Sequence, residues 1–146
     1  MRSARIIPLI IITLLLPALS VNGQCKAFAK KICLPELGSY THDGNYHAAV
    51  LNEGEEAELF KTFYSDMEYR LSVAGEENLP PVEFTVYDAD SNVLYSNKEN
   101  GLAGTWDFRL ESSQQLRFSI RVPTASQQGS TPAGGCVAIM FGFRIK

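Results

Sequence analysis

From residue 45 onward the chain predicts an all-β fold: an antiparallel β-sandwich of jelly-roll or immunoglobulin-like type, with about eight strands and a short N-terminal helix. Three observations carry this. Apolar residues recur at every second position in run after run, the spacing of a half-buried strand rather than a helix. Clusters of Asn, Asp, Ser and Gly separate the runs and supply turn chemistry. No helical pattern intervenes, so neighbouring strands pair without long crossovers. A closed barrel meets the same pattern and is the alternative architecture.

The N-terminal segment comes first. Arg2 and Arg5 precede an apolar run from Ile6 to Leu19, followed by Ser20-Val21-Asn22-Gly23. A positive region, a hydrophobic stretch and a small-residue exit make residues 1–23 a secretory signal peptide. The apolar run is 14 residues long. As a helix it rises about 21 Å, short of a ~30 Å hydrocarbon core, so no permanent membrane span is expected. A lipid anchor on Cys25 is disfavoured because Gln24 is not small. Residues 24–146 then form one domain. They carry 11 basic and 16 acidic side chains, a net charge of −5. That balance argues against nucleic acid or anionic lipid as the main partner.

Residues 25–34 have helical character and are expected to lie across one end or edge of the sandwich. Export makes a disulfide reasonable, and the odd set Cys25, Cys33 and Cys136 leaves one thiol over. In an unbroken helix Cys25 and Cys33 stand about 12 Å apart, beyond the ~7 Å a disulfide spans. That favours one of them bonding Cys136, while a local break in the helix would permit Cys25–Cys33.

The strands follow in order. Residues 41–45 read as a turn, and 45–51 and 57–63 as two less regular strands. Met67, Tyr69, Leu71 and Val73 share a face, as do Val82, Phe84 and Val86. Val93–Ser96 is a short strand. Trp106, Phe108 and Leu110 form the next face, which assigns Trp106 to the core. Leu116, Phe118, Ile120 and Val122 follow, then Val137, Ile139, Phe141, Phe143 and Ile145. Between the last two, residues 124–135 are small, polar and Pro/Gly-containing, a flexible loop by composition.

Several constellations bear on function. Asp88, Asp90 and Asn92 offer oxygen ligands at alternate positions, and Glu99 stands where a carboxylate closes an EF-hand-type calcium loop. Val93 occupies the position that glycine requires there, so a hairpin turn is the plainer reading. His42 and His47 flank Asp43 without zinc-ligand spacing. Glu53, Glu55, Glu56 and Glu58 read as a solvated strand edge that resists aggregation. No nucleophile elbow, metalloprotease motif or phosphate loop is present. Tyr87 lies opposite Phe84 and Val86 in strand phase and is the best exposed aromatic candidate for stacking on a sugar. Arg70, Arg109, Arg117 and Arg121 also face outward. Their plain role is a solvated sheet face balanced by acids; if they converge, they form a clamp for an acidic glycan or a partner's carboxylates.

Phe28-Ala29-Lys30-Lys31-x-Cys33, His42-Asp43-Gly44, Gly54-Glu55-x-Ala57-Glu58-Leu59, Tyr69-Arg70, Trp106-Asp107-Phe108 and Gly135-Cys136-Val137-x-Ile139-x-x-Gly142-Phe143 together resemble a group of small exported bacterial proteins without an assigned function. The strand arrangement is broadly similar to GOLD-type and prepeptidase C-terminal β-sandwiches, and that resemblance implies a non-catalytic module. The expectation is a secreted or periplasmic, non-enzymatic binding module whose partner is a protein or glycan at the cell surface or in the periplasm. Carbohydrate binding, supported by calcium as the one conceivable cofactor, is the second reading. A small hydrolase, pairing His47 with a distant carboxylate, is the third.

Overall fold

The computed structural model describes residues 21–146. The hydrophobic run of the expected signal peptide lies outside the described residues, and the expected cut after Gly23 falls in the first turn of the helix. That helix, α1 (Val21–Glu36), places Ala29 and Cys33 one turn apart, with Leu37 continuing the same stripe. The stripe packs on Ala138 and Met140. The helix stops where Pro35 has no N–H to extend the ladder and Gly38 takes a left-handed φ of 57°. Among the described residues no helix is long and apolar enough to cross a membrane.

Nine strands follow: β1 (Thr41–His42), β2 (His47–Asn52), β3 (Glu56–Phe63), β4 (Met67–Gly75), β5 (Glu83–Tyr87), β6 (Val93–Ser96), β7 (Thr105–Phe108), β8 (Gln114–Arg121) and β9 (Gly134–Ile145). They form two antiparallel sheets. In the first, β9 pairs with both β1 and β2 on one side and with β4 on the other, and β7 closes the row. The second runs β3-β8-β5-β6. The sheets stay separate, which makes the fold a sandwich and not a barrel.

Three expectations are corrected. Thr41 and His42 pair with Phe143 and Gly142 of β9, so the expected turn contains a ninth strand. Leu110 lies beyond β7, which ends at Phe108. The helix covers the outer face of the five-stranded sheet instead of an end or edge. The reason is β9, which is buried on both sides. Val137, Ile139 and Phe141 face the core, while Ala138 and Met140 face the helix. At Gly142 a Cβ would stand 2.7 Å from the Cβ of Tyr40, so glycine lets the chain leaving α1 lie flat on the sheet.

Cys25 bonds Cys136, with Cα atoms 5.2 Å apart, which staples α1 to β9 across 111 residues of sequence. Such a bond belongs to an oxidising compartment. Cys33 keeps a free, buried thiol. Burial pushes that thiol up to about 11, against a smaller opposing effect of its hydrogen bond with Ser72.

The core lies between the sheets. Phe63 is its centre, with the rings of Tyr69, Phe108, Phe118 and Phe141 at 4.8 to 5.7 Å. Where β6 meets β7, Tyr95 stacks on Trp106 at 4.8 Å and Trp106 on Phe108 at 4.5 Å, sealing that side. Trp106 is half-buried and packs against the core on the face that its strand phase assigns it. Buried Asn97, just after β6, ties the β6–β7 connection to the start of β5. It accepts the N–H of Phe84 at 2.9 Å and donates to the carbonyls of Val82 and Ala103 at 3.0 and 3.3 Å. The loop before β9 is held through Glu53, whose carboxylate accepts the N–H groups of Ala125, Ser126 and Ala133.

Candidate functional site

The two outer faces of the sandwich differ in kind. The five-stranded sheet carries α1 over β2, β4 and β9. Beyond the helix its surface is a closed charge ladder. Arg70 grips both carboxylate oxygens of Asp107 at 2.6 and 2.8 Å, directly across from it in register. Arg144 pairs with Glu68 at 2.5 Å, and Arg109 reaches Glu68 at 3.7 Å. The Arg144 guanidinium holds the Glu68 carboxyl below the usual carboxylate range. Tyr40 lies between the Arg70 and Arg144 guanidiniums, at 4.8 and 4.6 Å from its ring centre. Arg70 also donates to the Glu36 carbonyl at the end of α1. These arginines are held by partners on their own sheet.

The outer face of the four-stranded sheet has no helix on it among the described residues. Strand phase lays its side chains in cross-strand rows. One row is charged: Glu56, Arg121 and Glu83 stand opposite one another on β3, β8 and β5. The next is polar, Glu58, Ser119, Thr85 and Ser96. The third is Phe60, Arg117, Tyr87 and Val93. Phe60 is 56% exposed and Val93 59%, while Leu94 protrudes beside them at the β5–β6 register break. Arg117 lies flat on Tyr87, 3.9 Å from the ring centre, and binds Glu58 at 3.0 Å. The guanidinium is thus aimed and half-buried, with large apolar groups on both sides.

This face unites Tyr87, Arg117 and Arg121 of the sequence candidates. Arg70 and Arg109 stand on the opposite sheet, so the four arginines do not converge into one clamp. The Asp88–Asn92 turn lies at the end of β5, beside the face. One Asp88 oxygen accepts the N–H groups of Asp90 and Asn92 at 2.9 and 2.8 Å, and the other accepts the Asn92 amide at 3.1 Å. These bonds, the Asn92 side chain first, hold the Asp88 carboxyl below its ordinary range. Ser91 takes a left-handed φ of 64°, so the segment is a hairpin turn built by its own Asx bonds. Among the described residues no three His, Cys, Asp or Glu side chains are grouped to hold a metal ion.

Sequence reasoning missed two features. Phe60 sits in β3, whose inward residues include Lys61, and that charge hid the alternation that sends Phe60 outward. The histidines are the second. His47 packs on the edge of Phe141 at 6.1 Å, and Lys61 Nζ approaches Asp43 at 2.9 Å across the gap between the sheets. Nothing in the spacing of residues 42, 43, 47 and 61 announces that cluster.

The fold and its bare sheet define a class, an all-β sandwich with one disulfide-stapled helix. No protein-family model matches the chain, and no curated protein does. Among solved structures the chain is similar to PliG of Aeromonas hydrophila, a periplasmic inhibitor of g-type lysozyme. The TM-score is 0.53 at 10% identity, over 73% of this chain and 89% of that one. At that identity the likeness is one of fold.

Proposed function

We propose that this protein is a non-catalytic binding protein of the exported compartment, and that it recognises a protein partner through the outer face of its four-stranded sheet. The observation that carries the reading is the row Phe60–Arg117–Tyr87–Val93. Solvated sheet faces carry polar side chains, yet here two large apolar groups flank an arginine already positioned on a tyrosine. Aromatic residues and arginine dominate the energetic centres of protein interfaces, and a rim of mixed charge surrounds them. Glu56, Glu58, Glu83 and Arg121 form such a rim. Covering the exposed 56% of Phe60 contributes roughly 1–1.5 kcal/mol.

The fold neighbour inhibits a lysozyme, which makes a lysozyme the first partner to test. The acidic balance of this chain favours encounter with a partner that presents a positive surface. A glycan is less well served. Stacking needs a bare ring, and one face of Tyr87 is under Arg117.

The test is titration of a g-type lysozyme with the purified protein, following binding and the rate of cell-wall lysis. Binding that inhibits lysis and weakens about tenfold or more in Phe60→Glu supports the reading. Unchanged affinity in Phe60→Glu removes the face from it. No binding by the wild-type protein removes lysozyme as the partner.

A further inference from the structure

The two open sides of the sandwich are closed differently, and one is left with a hole. Between β6 and β7 stacked rings fill the gap. Between β2 and β3 stand His47, Ala49, Ala57 and Leu59, and a cleft of about 330 Å³ remains. Its floor is core: Leu51, Ile120, Val137 and Ile139 are each at most 8% exposed. Protein interiors pack to crystal-like density, and apolar walls without a facing partner forfeit their dispersion contacts. Two alanines opposite a buried aliphatic floor therefore keep a space that larger residues would have filled. The volume falls at the lower end of ligand pockets, roughly 300–1,000 Å³, and the composition is that of such pockets: aliphatic walls and few polar groups.

The charges around the cleft are already matched. Glu58 at the rim is held by Arg117, and Asp43 by Lys61. His47 is different. Its ring lies against Phe141, and among the described residues no hydrogen bond engages its nitrogens. Burial first, then Lys61 and His42, keep the imidazole neutral, against the opposing pull of Asp43. A neutral donor–acceptor at the mouth of an aliphatic cleft suits a neutral, mostly hydrocarbon molecule.

We propose that the β2–β3 cleft binds a small uncharged amphiphile, its hydrocarbon between Leu51, Leu59, Ile120 and Ile139 and its single hydroxyl or carbonyl oxygen against His47. This site borders the Phe60 face only through Glu58 and does not rest on that reading.

The probe is 1-octanol, titrated into ¹⁵N-labelled protein at neutral pH, with octanoate as its charged counterpart. The expected result is saturable movement of the amide signals of residues 47–51 and 57–61, with octanoate several-fold weaker. Ala57→Leu fills the cleft, so it removes the saturable response and raises the melting temperature of the free protein. Ala49→Leu repeats that test from the other wall, β2, should the first variant fold poorly. Phe60→Glu leaves octanol binding intact. No saturable movement up to the solubility of octanol, or movement that survives the cleft-filling variants, overturns the site. Octanoate binding as tightly as octanol overturns the assignment to an uncharged ligand.

Discussion

Asn97 is the residue that ties the β6–β7 connection to the start of β5. It is 1% exposed and makes three hydrogen bonds, to Phe84, Val82 and Ala103. Asn97→Ala strands the Phe84 N–H in the interior, and we expect a loss of about 1–3 kcal/mol in urea unfolding, with little change in the denaturant slope. Sequence offered no reason to single it out, because nothing local separates a buried Asn from the many that sit in turns. His47 makes a different prediction. Its pKa is held below the ordinary 6.5, so the unfolded chain takes up its proton first. The stability it supports is present above about pH 6.5 and drains away as pH falls through the lower folded value. Wild-type melting temperature should therefore drop between pH 7 and pH 5 by more than that of His47→Gln. Equal drops would show that His47 titrates freely in the fold. Asp43 acts lower on the scale. Burial raises its carboxyl, but the Asn45 and Lys61 contacts outweigh it, and the stability it adds is lost only in acid, below the ordinary carboxylate range.

At the scale of elements, α1 and β9 are one unit. Ala29, Cys33 and Leu37 meet Ala138 and Met140, and the Cys25–Cys136 bond holds the two together. Closing so long a loop is worth about 2–4 kcal/mol. Cys25→Ser should lower stability by that order, measured by thermal or urea unfolding against wild type under non-reducing conditions. Cys33 should stay unreactive toward an alkylating reagent until the protein unfolds, because its thiol is buried and pushed up to about 11. Rapid native-state labelling would contradict the packing of the helix. The pattern of β9 could have been read further in the sequence. Residues 136–141 are apolar at every position, the signature of a strand covered on both sides, yet period-two reading attends to one face and leaves Ala138 and Met140 idle. That run points to a cover on the outer face of β9, and the helical distance between Cys25 and Cys33 disfavours their pairing, but neither says which of the two bonds Cys136. β1 is only two residues long, too short for any periodicity to mark.

For the whole molecule, alternation gave an all-β fold and the buried face of each strand, because period two states which face is inward, but it fitted a closed barrel as well as a sandwich. It did not say which strands share a sheet. That is why Arg70 and Arg117, equivalent by phase, end on opposite sides of the protein, one in a closed ladder over a helix-covered sheet and the other at the centre of a bare one. The asymmetry of the two faces is the basis of the functional reading. The most direct measurement is hydrogen exchange of the protein alone and in complex with a g-type lysozyme. Slowed exchange is expected in β3, β8 and the Tyr87 end of β5, with α1 and the Arg109 ladder unchanged. Protection centred on α1 or on the Tyr40–Arg144 surface, with β3 and β8 unaltered, would contradict this expectation.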